Sequence, residues 1–215
     1  MSVGENLLRY KKNQKYVAFD VESCNLNLLV TNFPWQLGYQ VFTQKEILED
    51  QNIYVNWGDK FKISRDAARI THYDEDVVKK EGKDPKETYL KFRNILDNKS
   101  ILIVGHNILS FDSILEKFWC EEVGEKHDWD YLTRLYDTSL LAKAIKKGIK
   151  PDINNLLAFQ YKLSNFVERG LKTNLALLAR EYGINNDENA GFHSANFDVD
   201  VTRQVFLKEI WQIEV

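Results

Sequence analysis

Lys15-Tyr16-Val17-Ala18-Phe19-Asp20-Val21-Glu22 alternates with a period of two. Val17, Phe19 and Val21 fall on one face and Tyr16, Ala18, Asp20 and Glu22 on the other, which predicts a strand laid against a core. Working outward, residues 35–42 and 52–57 are β-rich and separated by a polar stretch, giving a three-strand meander. A helical region follows. Asp84 before Pro85 reads as an N-cap with proline at the first helical position, opening a helix with Tyr89, Phe92, Ile95 and Leu96 on one side. The wholly apolar run 101–104 suits a strand buried on both faces. Residues 110–123, 138–147, 154–167, 174–182 and 194–211 read as helices. Strands first, then helices alternating with a buried strand, indicate an α/β domain with a mixed sheet. Gly148 and Pro151 lie in a polar loop at 146–152 rather than at a domain boundary, so residues 1–215 are expected to form a single domain.

The chain has 215 residues, 44% hydrophobic and 28% charged, enough apolar content to bury a core and too much for a disordered chain. The formal charge of −3 argues, taken alone, against a protein that coats nucleic acid with a broad basic surface. Cys24 and Cys120 do not form a Cys-x-x-Cys pair, which excludes a thiolate zinc site and suits a reducing cytosol. Residues 1–15 are polar and basic without an apolar segment, so no signal peptide is expected. No apolar run approaches the ~18 residues of a membrane span. A cytoplasmic protein is expected, in a host cytoplasm if the gene is viral, as a composition rich in Lys, Asn and Ile suggests.

Asp20 and Glu22 lie two apart on a strand, so both carboxylates leave the same face, with Cα atoms roughly 6.6 Å apart. Such a pair is suited to sharing a divalent cation, or to a pair of charges at a sheet edge. Asp112 follows the 101–104 strand in Gly-His-Asn-Ile-Leu-Ser-Phe-Asp, at a strand-to-helix junction of the kind where open α/β sheets place their chemistry. In the first turn of a helix it also complements the helix dipole. His193 and Asp198 stand at the entrance to the last helix. An imidazole there is suited to taking a proton from water, and an ordinary surface histidine would look the same. Together the set is more informative. Asp20, Glu22 and Asp198 would hold one metal, Asp20 and Asp112 a second, with His193 beside the attacking water, as two-metal phosphoryl transfer requires. Oxygen donors alone point to hard cations, two Mg²⁺ or Mn²⁺. Two divalent ions would cancel all four carboxylates, so the bare net charge is a poor witness against nucleic acid.

The chain resembles the DEDDh (DnaQ-like) 3′→5′ exonucleases over about residues 15–212. The motifs that carry the resemblance are Asp20-Val21-Glu22-Ser23, then His106-Asn107-Ile108-Leu109-Ser110-Phe111-Asp112, then His193-Ser194-Ala195-Asn196-Phe197-Asp198. Tyr136-Asp137-Thr138 and residues 175–183 are lesser echoes. The resemblance implies an RNase H-like fold, a mixed five-stranded sheet flanked by helices. It implies hydrolysis of single-stranded DNA or RNA from a 3′ end to nucleoside 5′-monophosphates. Asp20, Glu22, Asp112 and Asp198 would be metal ligands and His193 the general base. The backbone at Glu22 and Ser23 would meet the terminal 3′-hydroxyl, and His106 and Asn107 would lie along the substrate. Leu26 or Leu28, and Phe111, are candidates for contact with bases. Ser23 replaces the family's usual Thr, Cys24-Asn25 replaces Thr-Gly with Asn25 expected to keep a left-handed turn, and the second motif is one residue longer. A stand-alone enzyme or a separate subunit serving a polymerase or other replication partner is implied.

Residues 148–172 read as a variable insert whose Phe159, Tyr161 and Phe166 have helical spacing, expected in the core, with contact to a nucleic-acid strand as the alternative. Lysines cluster at 79, 80 and 83 and at 143, 146, 147 and 150, either as a solvated helix face or as a phosphate-tracking rim. Two rivals remain: a nuclease-like binding or adaptor module without turnover, and a two-metal phosphoesterase of small nucleotides.

Overall fold

The computed structural model describes residues 7–184 and 194–215. Five strands, β1 (Lys15–Ser23), β2 (Pro34–Phe42), β3 (Ile47–Tyr54), β4 (Ile101–Gly105) and β5 (Leu135–Asp137), form one sheet in the order β3-β2-β1-β4-β5. β2 runs antiparallel to β1 and β3, while β4 and β5 run parallel to β1. Among the described residues, eight α-helices flank it: α1 (Arg65–Ile70), α2 (Glu75–Glu81), α3 (Pro85–Asp97), α4 (Asp112–Glu122), α5 (Thr138–Lys147), α6 (Leu156–Ser164), α7 (Leu175–Glu181) and α8 (Ala195–Glu209). This is the mixed sheet with flanking helices of the RNase H-like fold.

β1 is central, so it is buried on both faces rather than lying on a core with one. On the Val17/Phe19 side, Phe19 meets Phe92 of α3 with ring centroids 5.0 Å apart. On the Tyr16/Ala18 side, Tyr16 packs against Phe206 of α8 at 5.2 Å. The helix expected at Asp84-Pro85 forms as read, with the Asp84 carboxylate accepting from Glu87 N–H at 2.9 Å. Burial of Tyr89, Phe92 and Leu96 then fixes α3 on the sheet.

Three expectations fail for identifiable reasons. The third strand spans Ile47–Tyr54 rather than residues 52–57, because an edge strand with mostly exposed side chains carries no alternating apolar pattern. Periodicity also passes over β5, whose three residues are too few to show one; its pairing with β4 defines it. Tyr161 and Phe166 are exposed, and only Phe159 joins the core. Tyr161 lies two residues, about 200° of helix, from Phe159, and α6 ends at Ser164 before Phe166 is reached. α6 has another use: Gln160, fully buried, accepts from Asp137 N–H at 2.7 Å and donates to Leu135 C=O at 2.9 Å. Its amide substitutes for a sixth strand and closes the β5 edge.

One glycine decides how α8 meets the sheet. Gly38 on β2 pairs with Asp20 on β1. A Cβ at Gly38 would lie 2.5 Å from the Ala195 carbonyl carbon and 2.8 Å from Asn196 N. Both are backbone atoms of the first turn of α8, which cannot give way as a side-chain tip can. The missing side chain thus lets α8 begin directly over the strand pair that carries Asp20. Gly38→Ala is expected to cost ~1–3 kcal/mol through overpacking and to lower the thermal unfolding midpoint. An unchanged midpoint would show that α8 shifts freely on the sheet.

Candidate active site

The parallel ladder between β1 and β4 ends at Ala18 paired with Val104, and β4 itself ends at Gly105. Beyond that point β1 continues without a strand on that side, and its backbone donors need other partners. Asp112, the first residue of α4, supplies one: its carboxylate accepts from Val21 N–H at 2.9 Å. A hydrogen bond between residues 91 apart in sequence thus joins the second motif to the first.

Asp20 and Glu22 leave the same face of β1, as the period of two requires, and the N-terminal turn of α8 brings Asp198 to them. One ligand oxygen from each of Asp20, Glu22 and Asp198 lies within 4.8 Å of the others. Asp112 is outside this triad but presses electrostatically on Asp20. His193, the expected general base, lies outside the described residues; its neighbour Ser194 is the N-cap residue of α8.

Burial and mutual repulsion both oppose ionisation here. Burial first, then the charges of Asp112, Glu22 and Asp198, hold the Asp20 carboxyl well above the usual carboxylate range. Glu22 is pushed up to about 9, by burial and then by Asp198 and Asp112. Asp112 rises to about 7 through burial, opposed by the hydrogen bond from Val21. Carboxylates gathered in this way form an all-oxygen donor set for a hard divalent cation, and binding one would offset these repulsions.

The second motif is held from below by a residue that sequence reading left as an echo. Asp137, at the end of β5, accepts from Ser139 and Leu140 N–H as the N-cap of α5. The same carboxylate accepts from Asn107 N–H at 3.0 Å and Leu109 N–H at 3.3 Å. It therefore ties the turn preceding α4 to the start of α5. Asn107 takes a left-handed conformation, φ 56°, which Asn tolerates better than most residues. Ile108 fills the space beside Gly105, where a Cβ would lie 2.4 Å from its Cδ1. The longer second motif is thus accommodated by a left-handed turn closed on Asp137.

The expected substrate-side residues are distributed unevenly. The His106 ring nitrogen is 2.8 Å from Thr138 Oγ1, and burial lowers its pKa to about 4, leaving a neutral ring. Ser23 is buried and its hydroxyl donates to Asn25 C=O. Phe111 packs partly against the core, Asn107 is exposed, and Leu26 is exposed in the loop after β1. Asn25 does not adopt the left-handed turn expected of it: His72 and Asn107 are the only non-glycine residues with positive φ among those described. The turn is held instead by buried Asn32, whose side-chain oxygen accepts from Asn25 N–H at 3.0 Å and whose amide donates to Asn25 C=O. Gly38 is the position the sequence reading missed, and a glycine inside a strand pattern is a signal of close backbone approach that could have flagged it. Asp137 is legible only as an echo before a helix; its place there signals an N-cap, but nothing local signals its bonds to Asn107 and Leu109.

No protein-family profile matches the chain, and no curated protein matches it in sequence. Solved structures do match. Exonuclease I, in the structure reported to suggest how processivity is achieved, superposes with a TM-score of 0.68 at 15% identity over 92% of this chain. The zinc-bound form of Escherichia coli exonuclease I in complex with single-stranded DNA gives 0.70 at 15% identity over 92%. The product-bound form of exonuclease I gives 0.67 at 14% identity over 92%. The chain spans 40–43% of the length of these proteins. The fold is therefore that of the corresponding part of exonuclease I.

The raised carboxylates set a pH dependence. A carboxyl whose folded pKa exceeds its unfolded value of ~4 binds its proton more tightly in the folded state. Its neutral form is therefore favoured by folding, and stability falls as pH rises from there through the folded pKa. In chelator, thermal stability is expected to fall between about pH 4 and about pH 9, the upper limit being set by Glu22. Mg²⁺ or Mn²⁺ should restore the loss at the alkaline end. Asp20→Asn should raise the midpoint in chelator at pH 8 yet diminish the metal-induced rise. Thermal scans across pH with and without metal test both; a flat profile in chelator would contradict the electrostatic account.

Proposed function

We propose that this protein is a metal-dependent 3′→5′ exonuclease, acting on single-stranded DNA or RNA ends and releasing nucleoside 5′-monophosphates within one catalytic domain. The observation that carries the reading is the convergence of Asp20, Glu22 and Asp198, with Asp112 against Asp20, at one end of this fold. A binding or adaptor module would have no physical reason to keep four mutually repelling carboxylates together. The nearness of the fold to proteins solved with single-stranded DNA supports the substrate class, and the zinc-bound form shows that such a protein accepts a divalent ion.

In this reading Asp20, Glu22 and Asp198 hold one divalent cation, Mg²⁺ or Mn²⁺, and Asp20 with Asp112 a second. Such a pair, when bound, makes water more acidic and stabilises the departing oxyanion. The chain's own contribution is positional. β1 presents Asp20 and Glu22 at fixed spacing, the Val21 N–H orients the Asp112 carboxylate, and the seat at Gly38 sets the height of Asp198. His193 takes the proton from the attacking water. The exposed apolar side chains of Leu26, Leu29 and Val30, in the loop that follows β1, are placed to cover the terminal bases.

Purified protein with a 5′-labelled single-stranded oligonucleotide and Mg²⁺ or Mn²⁺ should give a ladder shortened from the 3′ end. Chelation and Asp20→Ala should each abolish it, and a preparation active despite either would overturn the mechanism. His193→Ala should retain metal-induced thermal stabilisation while turnover falls ~10²–10⁴-fold, the usual weight of a general base. Unchanged turnover would remove His193 from its role.

A further inference from the structure

Residues 143–172 hold seven Lys and Arg against two Asp and Glu. The chain as a whole is −3, so this segment carries a surplus of five positive charges while everything outside it is acidic by eight. Its basic side chains fall into two groups. Lys143, Lys146 and Lys147 fasten the loop after α6 to α5. Lys143 donates to Leu163 and Phe166 C=O at 2.8 and 3.0 Å, Lys146 to Lys172 C=O at 2.8 Å and to Glu181, and Lys147 pairs with Glu168. Lys150, Lys162, Arg169 and Lys172 are exposed. No hydrogen bond or ion pair among the described residues engages their side chains.

Apolar surface lies between these cations. Tyr161 on α6 is 44% exposed, and Phe166 and Val167, 37% and 90% exposed, lie in the following loop, which the three lysines hold in place. A tethered loop that keeps aromatic and aliphatic carbons in water leaves a preformed surface at little ordering cost. The loop also reaches the candidate active site. Thr173 Oγ1 is 2.8 Å from Ser139 Oγ, and the Thr173 backbone hydrogen-bonds His106 of the second motif. From Ser139 the strip follows α5, a ten-residue helix of about 15 Å, to the Lys147–Glu168 pair.

We infer that this strip is a docking surface for single-stranded nucleic acid, guiding the strand toward the carboxylate site; the inference rests on the exonuclease reading for its direction, but not for the binding itself. Unpartnered cations interleaved with exposed rings match a polyanion that also offers flat bases, since phosphates are tracked by charge and bases stack on aromatic faces. The charge asymmetry favours this occupant, because the segment is net positive in a chain that is otherwise net negative.

The test is fluorescence anisotropy of a labelled oligothymidylate in chelator, where no turnover occurs. Arg169→Glu/Lys172→Glu should weaken binding at least tenfold. It should also flatten the slope of log K against log salt by ~1.4, about 0.7 for each phosphate no longer neutralised. Phe166→Ala should weaken binding by ~5–100-fold by removing a stacking face. Both variants lie on the surface, and unchanged melting temperatures confirm their folding. With Mg²⁺ present, they should cut a dinucleotide as the parent does while losing the long strand through KM. Parent-like affinity and salt slope in the variants would overturn the inference. So would a parent protein that ignores the oligonucleotide but binds anionic vesicles or an acidic peptide. A parent that binds but never cuts would defeat the exonuclease reading and leave this one standing.

Discussion

Four carboxyl groups, Asp20, Glu22, Asp112 and Asp198, crowd the end of the central strand, where burial and like charge both oppose the ionisation of the first three. Gathering them is unfavourable on its own terms, so every element that delivers one must be held by packing elsewhere. β1 is anchored by buried side chains on both faces, and α8 by Phe206 among Tyr16, Phe42 and Tyr136. The hydrophobic core thereby supplies the rigidity that the carboxylates would otherwise disrupt. Such a strained constellation is the kind of local conflict that marks a functional site.

Backbone groups connect the second motif to its neighbours. Asp112 takes an N–H that β4 leaves free by ending early, and Asp137 gathers four N–H groups, two from the turn before α4 and two from the first turn of α5. Hydrogen bonds to a carboxylate from backbone donors are strong and directional, and they need no basic side chain near the ligand set. A lysine or arginine in the same place would compete with a metal for the carboxylates. No ion pair engages Asp20, Glu22 or Asp112 among the described residues, which is consistent with a donor set kept open for cations.

A surplus of basic residues lies instead in residues 143–172, along α5 and the segment after it. The polar network around Glu116 is separate again: the buried carboxylate accepts from Tyr89 and Tyr131 and lies within reach of Arg93 and His127, joining α3, α4 and the segment before β5. With all its neighbours satisfied, that network stiffens the layer beneath β4 and offers nothing to a ligand. The charge of the molecule is thus partitioned into an acidic site, a basic strip beside it and a neutralised structural cluster. The whole-chain value of −3 conceals all three.

The central strand, the buried run at 101–104, the cap at Asp84 and the extents of α5, α7 and α8 were legible in the sequence, because each has a local cause in periodicity, capping or helix length. The spacing of Asp20 and Glu22 was legible for the same reason, since the pleat sends alternate residues to one side. The edge strand β3, the short β5 and the exposure of Tyr161 and Phe166 were not. Their state depends on which neighbour pairs with or covers them, and no local pattern encodes that. By itself, then, the sequence determined which residues could carry the chemistry and which elements bear them. Only tertiary structure decided that Asp198 reaches Asp20 and Glu22, because the approach is set by Gly38 beneath the first turn of α8. Likewise it alone bound Asp112 to Val21 and Asp137 to Asn107, pairings between donors and acceptors that lie 91 and 30 residues apart and meet only when the sheet is assembled.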